Sequence, residues 1–483
     1  MRIAIVHYHL KRGGVTRIIE STLLGFNQHH EKHDYVVLSG EYSSNFTYRE
    51  CVRTVAGLNY SNQQQVTPDS KDLLQQLRSS ARAALGASPD VWHIHNHSLG
   101  KNHALPGLVA LLAKEGESVL LQMHDFAEDG RPDNYTVNKR RFQWSDKLYP
   151  NCQNVHYGVI NARDYQIFSD TGIDNDRLHL LANPIDTNKK TTDQDEVKSV
   201  TEDLNTDRLI VYPVRATRRK NFGELLLWAT IEQKDAHYAT TLGPTNSNYY
   251  NSYARWQKIA KANNLPISFG IGECNRWSFE NIISSAEAII TTSIAEGFGL
   301  SFLEPWMMKK HIIGRNLPEI TADFKIHGIK LENLYTHIPI PDEWIDMERL
   351  LGKITNELKK VYSAYDRDLP VDAPQLALDS IRPTTNTIDF GGLDEDLQEK
   401  VLEFLINEPK AKQLLPQLTT AKDPLTAENN RSQISNLFSL NHYIENLIQI
   451  YASIQKDTTI DYFNPNLLID GFLKPKRFRL LRA

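Results

Sequence analysis

A short apolar segment followed by an amphipathic helical pattern recurs along most of the chain, and this alternation limits its fold more than any other feature. Residues 2–8 form a largely apolar run that ends in a turn, His9-Leu10-Lys11-Arg12-Gly13-Gly14. Val15, Ile18, Ile19, Thr22, Leu23 and Phe26 follow at spacings of three and four, which places them on one helical face. The unit then repeats. Tyr35–Ser39 reads as a strand, and Leu73, Leu74, Leu77, Ala81, Ala84 and Leu85 read as a helical face. Val91–His95 reads as a strand, Leu105–Lys114 as a helix and Val119–His124 as another strand. Short strands alternating with helices indicate an α/β chain with parallel sheets.

The pattern restarts after a polar stretch, 186–207, which reads as a linker able to carry a short helix. Strands are expected at Leu209–Val214, Tyr238–Leu242, Ile267–Ile271, Ala288–Thr292 and His311–Gly314. Helices are expected between them at Phe222–Ile231, Tyr249–Asn263, Phe279–Ala286 and Leu300–Lys309. The 483 residues suffice for two or three domains at about 150 residues each. The expected division is a first Rossmann-like domain over 1–190 and a second over 205–432. The second includes a proline-punctuated insertion at about 340–430, with helices near 346–362 and 394–407. A long amphipathic helix is expected over 433–455, with Ile434, Leu437, Phe438, Tyr443, Ile444, Leu447, Ile448 and Tyr451 on one side. Residues 433–483 are expected to pack back on the first domain. Two such halves facing each other would bind a ligand at the carboxyl ends of their strands.

Composition narrows the class. The net charge is −5, which argues against a dedicated nucleic-acid binder. The three cysteines, Cys51, Cys152 and Cys274, are not closely spaced, so neither a disulfide scaffold nor a cysteine zinc site is expected. No stretch approaches the roughly 18 apolar residues of a membrane span, and the first strand is too short for a signal-peptide core. A cytoplasmic protein is expected.

The segment with the most chemistry is Glu296-Gly297-Phe298-Gly299-Leu300-Ser301-Phe302-Leu303-Glu304, between an expected strand and an expected helix. Its glycines permit unusual dihedrals and close approach of a ligand to the backbone. Amides at a helix start can hold hydroxyls or phosphate oxygens. Arg215 and Lys220 lie five apart after the strand Leu209–Val214. Positive charge there suits a departing diphosphate, whereas Arg218 and Arg219 read as a solvated basic loop. His93, His95 and His97 alternate at a strand end. His-x-His can be a metal pair, as in a metal-dependent hydrolase, but the further ligands of such a barrel are absent. No metal site is expected. The basic tail Phe472–Ala483, with Lys474, Lys476, Arg477, Arg479 and Arg482, could touch anionic lipid, although a packed or solvated terminus is the plainer reading.

Taken together, these segments resemble retaining glycosyltransferases with the GT-B fold, specifically glycosyltransferase family 4. Glu296 to Glu304 is similar to that family's Glu-x7-Glu motif, and Gly13-Gly14 looks like its N-terminal glycine loop. Asp90-Val-Trp-His-Ile-His95 resembles its Asp-Val-x-His-x-His strand, and Arg215 with Lys220 its Arg-x4-Lys pair. Asn183-Pro-Ile-Asp186 is similar to its Asn-Gly-Val-Asp turn, with Pro184 in place of glycine. The terminal Phe438–Tyr451 helix looks like the one that returns to the first domain. The resemblance covers 1–330 and 433–455. It implies transfer of a hexose, glucose first, from a nucleotide-sugar such as UDP-glucose to a small polar or glycan acceptor, without a metal or other cofactor. Glu304 would hold the ribose, Arg215 and Lys220 the diphosphate, and Glu296 with Gly297, Phe298, Gly299 and Leu300 the donor sugar. Gly13, Gly14 and His124 would face the reacting centre. His95, Asp125, Arg131 and Tyr135 are candidates for the acceptor. A sugar phosphorylase, a nucleotide-sugar epimerase or a non-catalytic sugar-binding homologue on the same fold is the alternative.

Overall fold

The computed structural model describes residues 1–482 apart from 65, 67, 142–146, 187–193, 233–235, 274–275 and 421–422. Cys274 and residues 187–193 of the expected linker lie outside these. The chain divides into two compact units. The first comprises Met1–Pro184, Val361–Arg367 and Asn436–Lys474; the second comprises Ile185–Lys360, Asp368–Ser435 and the residues from Pro475 on.

The first unit begins with β1 (Arg2–Leu10), α1 (Gly14–Gln28), β2 (Asp34–Tyr42), β3 (Val52–Thr54) and α2 (Ser70–Leu85). It continues with β4 (Val91–His95), α3 (Leu105–Lys114), β5 (Val119–Met123), α4 (Pro132–Arg141), β6 (Pro150–Asn151), β7 (Val155–Val159), α5 (Ala162–Ser169) and β8 (Leu178–Leu180). Seven strands form one sheet in the order β3-β2-β1-β4-β5-β7-β8, and every pairing is parallel. This is a doubly wound order whose direction reverses between β1 and β4. Both faces are covered, so β4, β5 and β7 are buried along their whole length, with His93, His95, Gln122 and His156 the polar residues among them.

The second unit opens with α6 (Gln194–Asp203), β9 (Leu209–Arg215), α7 (Phe222–Ile231), β10 (His237–Leu242) and α8 (Tyr250–Ala262). β11 (Ile267–Ser268), α9 (Phe279–Ser285), β12 (Ala288–Thr291), α10 (Glu304–Met307), β13 (Ile312–Arg315), α11 (Pro318–Ile326) and β14 (Leu334–Tyr335) follow. The sheet order is β11-β10-β9-β12-β13-β14, again parallel throughout, with its reversal between β9 and β12.

Four expectations need correction. Leu300–Lys309 is not one helix: a single tight turn, Leu300–Phe302, precedes the four-residue α10, because Pro305 cannot donate into a continuous ladder. The helix expected over 433–455 is broken at Phe438-Ser439 into α15 (Pro424–Leu437) and α16 (Leu440–Ser453), where Ser439 accepts from the His442 amide as a cap. The insertion does not belong wholly to the second unit. Its helix α12 (Met347–Ala364) ends in Val361–Arg367, which groups with the first unit. The chain end from Pro475 on groups with the second unit. Arg477 pairs with Glu319 at 2.5 Å, Arg479 donates to Ser380 at 3.1 Å, and Leu480 and Leu481 are buried within the second unit.

Helix α16 covers α1 in the first unit. Tyr443, Ile444, Leu447, Ile450 and Tyr451 share a core with Ile18, Ile19, Leu23 and Phe26. A Cβ at Gly25 would lie 2.1 Å from Ile444 Cγ1, so the close approach of the two helices requires glycine there. In the second unit the insertion is tied to the sheet by Arg315 at the end of β13. Its guanidinium reaches Glu224 on α7 at 2.5–2.9 Å and Asp389 at 2.8 and 3.0 Å. Asp389 closes β16 (Thr387–Asp389), which pairs antiparallel with β15 (Pro339–Pro341). Burial opposes ionisation of Asp389, but Arg315 outweighs it and holds the carboxyl far below its ordinary range. Arg315→Met would leave two buried carboxylates without their cation. The unfolding free energy should fall by about 3–5 kcal/mol in chemical denaturation, and Arg315→Lys should recover only part of it.

Candidate active site

The carboxyl ends of β9 and β12 flank the reversal of the second sheet, and the loops after them carry the expected donor-binding residues. Arg215 is the last residue of β9; it is half-buried and has no ion-pair partner among the described residues. The chain then makes a single tight turn, Arg218–Lys220. Asn221 follows at φ +53°, a left-handed conformation that asparagine tolerates. This turn is stitched to the loop after β12. The Thr292 hydroxyl donates to the Lys220 carbonyl at 2.8 Å, and the Ile294 amide to the Arg219 carbonyl at 2.9 Å. The stitching brings the Lys220 ammonium onto the Glu296 carboxylate as an ion pair, both side chains nearly buried. Arg219 Nη1 stands 3.8 Å from the same carboxylate while its side chain stays exposed, as expected of a solvated loop. Arg218 faces Glu395 at 3.6 Å instead. Burial opposes ionisation of Glu296, but Lys220, Arg219 and a hydrogen bond from Ser293 outweigh it and hold the carboxyl below its ordinary value. A carboxylate and a cation thus neutralise each other where an anion and a polyol would both find partners.

The rest of the Glu296–Glu304 segment is arranged by Gly299. Its φ is +87°, and a Cβ there would lie 2.6 Å from Ile320 Cγ2. Phe298 turns inward against Phe324, ring centroids 5.8 Å apart, so its side chain serves packing and only its backbone can meet a ligand. Glu304 begins α10 and is half-buried. Gly299→Ala should combine backbone strain with the Ile320 contact and lower stability by about 1–3 kcal/mol, as read from the urea midpoint.

In the first unit the corresponding edge is the end of β1, β4 and β5. Gly13 is extended (φ −174°), a conformation open to any residue, and a Cβ at Gly14 would meet no atom within 4 Å. Neither glycine is demanded by the chain's own packing, and both are exposed. The β4–β5 register pairs His95 with Gln122, which sets His124 just beyond the edge. His124 Nε2 meets His95 Nδ1 at 3.0 Å with the rings stacked, and Asp125 pairs with Arg131 at 2.5 Å. His93 and His95 share a face, ring centroids 4.4 Å apart, whereas His97 turns away to the Leu148 carbonyl at 2.6 Å. The three therefore do not converge as metal ligands. Among the described residues the donor group compact enough for an ion is His29, Glu31 and His33, on the turn after α1.

Of the acceptor candidates, His95 is fully buried, and Tyr135 packs against Tyr365 with ring centroids 5.0 Å apart. Tyr365 lies in the insertion segment that joins this unit. Its hydroxyl accepts from the Arg131 amide at 2.7 Å and donates to the Ala127 carbonyl at 2.9 Å. Sequence reasoning missed Tyr365 and Gln398, because neither stands in a motif. Gln398, on α14 (Glu395–Asn407), donates to Asn221 Oδ1 at 2.8 Å and so supports the basic turn.

Burial holds the core histidines neutral. His7 and His93 are pushed down to about 3, and His97 and His124 to about 4. The unfolded chain accepts protons on these groups near pH 6.5 that the folded chain refuses. This stability is complete above pH 6.5 and is lost as pH falls towards 4, by up to about 1.4 kcal/mol per pH unit for each group. Urea midpoints taken from pH 7.5 down to 5 should therefore decline, and a flat series would contradict the burial.

No protein-family model matches the chain. A mannosylglucosyl-3-phosphoglycerate synthase from Petrotoga mobilis is 25% identical over 93% of this chain and 91% of its own length. Among solved structures, HepE of Anabaena in complex with UDP and glucose superposes with a TM-score of 0.55 at 10% identity, over 94% of this chain and all of that one. The catalytic domain of starch synthase IV from Arabidopsis thaliana, bound to ADP and acarbose, gives 0.52 at 13% identity over 94% and 99%. The α/β architecture with two parallel sheets is therefore that of the GT-B glycosyltransferase fold. Among the described residues no helix is long and apolar enough to cross a membrane.

Proposed function

We propose that the chain is a retaining, metal-independent glycosyltransferase that moves a hexose from a nucleotide-sugar to a small polar or glycan acceptor. The observation that carries this reading is the Lys220–Glu296 pair at the reversal of the second sheet, with Arg219 beside it and Arg215 at the end of β9. The synthase relative and the UDP- and ADP-bound structures support a nucleotide-sugar donor, and UDP-glucose is the first to try. As the bond from the anomeric carbon to the diphosphate breaks, negative charge grows on the leaving oxygens, where Arg215 and Lys220 stabilise it. Glu296 and the backbone of Gly297–Leu300 hold the sugar hydroxyls, and Glu304 holds the ribose. The acceptor oxygen bonds to the face the diphosphate leaves, and its proton passes to the leaving phosphate, so no carboxylate nucleophile is required.

The acceptor is proposed to be anionic. The relative's name denotes a product with a phosphoglycerate group. In this chain burial first, and then Arg131, hold the Lys101 ammonium below its ordinary range. A bound phosphate or carboxylate would favour the charged form of Lys101.

Purified protein would be screened by thermal shift against UDP-, GDP- and ADP-sugars, then assayed for transfer to phosphorylated and neutral acceptors. One nucleotide-sugar should raise the melting temperature. Lys220→Ala should cut transfer by about 10²–10³-fold, and the product should keep the donor's anomeric configuration by NMR. No stabilisation by any donor, together with unchanged behaviour of Lys220→Ala, overturns the proposal.

A further inference from the structure

A chain of polar groups runs from the covering helix α16 through the first unit to His124. The Tyr451 hydroxyl lies 2.7 Å from His93 Nδ1, and His93 Nε2 lies 3.0 Å from Gln122 Oε1. An amide oxygen can only accept, so His93 carries its proton on Nε2 and receives the Tyr451 hydrogen on Nδ1. Both nitrogens of His93 are thereby satisfied. The His95 ring lies tilted beside that of His93, centroids 4.4 Å apart, and its Nδ1 faces His124 Nε2 at 3.0 Å. The other nitrogen of His95, Nε2, is buried and has no hydrogen-bond partner.

One hydrogen is shared between His95 Nδ1 and His124 Nε2, and there are two ways to place it. If it belongs to His124, the neutral His95 ring must carry its own proton on Nε2, as a buried N–H with nothing to donate to. If it belongs to His95, the buried Nε2 is an unprotonated lone pair. Orphaned buried N–H groups are the rarer and costlier defect. The hydrogen therefore sits on His95 Nδ1, and His124 accepts it at Nε2. Burial keeps the His124 ring neutral at ordinary pH, so it holds a single proton, which must be on Nδ1.

We propose that His95 is a positioning residue that fixes His124 as an Nδ1–H donor, so that this edge of the first sheet offers a hydrogen-bond donor to a ligand oxygen. Free histidine favours the opposite tautomer. The ligand atom it suits is a sugar hydroxyl or phosphate oxygen in its accepting role. His124 cannot take a proton through Nδ1 in this arrangement, so it does not act there as a base. Its use on the donor sugar rests on the glycosyltransferase reading, but the tautomer does not.

The test is nitrogen-15 NMR of the whole protein labelled in histidine, with His124 identified by the signal lost in His124→Gln. At pH 7.5 His124 should show a protonated-type Nδ1 and an unprotonated-type Nε2. In His95→Phe the pattern should move towards the Nε2–H form, and His95→Gln, whose amide can still donate to His124 Nε2, should keep the wild-type pattern. A wild-type His124 protonated on Nε2, or a pattern unchanged by His95→Phe, overturns the proposal. The wild-type spectrum decides even if His95→Phe fails to fold. In a transfer assay His95→Phe should lower kcat by more than tenfold, with His95→Gln close to wild type. Absence of transfer in the wild type would strike the functional reading alone.

Discussion

Arg315 is the interaction on which the second unit depends. It stands where the polypeptide leaves β13, buried between a carboxylate from α7 and another from the insertion. Three charges sit in one apolar interior, so each is tolerable only while the other two remain. The Tyr335 hydroxyl donates to Glu224 at 2.7 Å, and the Ile338 amide to Asp389 at 2.9 Å, which leaves few lone pairs unsatisfied. Glu224 also accepts from Asn221 Nδ2 at 2.7 Å, and Asn221 in turn accepts from Gln398. The proline-rich insertion is thus joined by polar contacts to the residue next to Lys220. A stretch without a recognisable motif holds the turn that carries the site's cations.

Period and spacing made the two parallel sheets legible in the sequence, because buried parallel strands are apolar on both sides and the helices between them are striped. Strands β4 and β9 and helices α3 and α7 fall within a residue of their expected places. What the sequence hid were features set by distant partners. The break at Ser439 depends on one side-chain cap inside an otherwise continuous apolar stripe. The assignment of Val361–Arg367 to the first unit depends on Tyr365 meeting Ala127 and Arg131, more than 200 residues away. At the candidate site, Glu296, Arg215 and Lys220 were legible from their positions after strand ends. The mutual pairing of Lys220 with Glu296 and the direction of His124 towards His95 were not, since neither follows from spacing along one segment.

The two units handle polarity in opposite ways. In the second, the edge residues are charged and neutralise one another. In the first, His93, His95 and His124 are kept uncharged by burial, and His95 and His124 share a single hydrogen. A charged edge responds to an incoming anion by exchanging partners, whereas a neutral hydrogen-bonded edge imposes a fixed direction on what it meets.

Helix α16 closes the first unit but is encoded after nearly all of the second. While a ribosome is still adding residues 185–439, Leu23 and Phe26 on α1 have no α16 to cover them. At usual elongation rates that interval lasts tens of seconds. The newborn first unit therefore passes through a period with an uncovered apolar face, and a chaperone that shields such faces has its opportunity then, before α16 arrives to seal it.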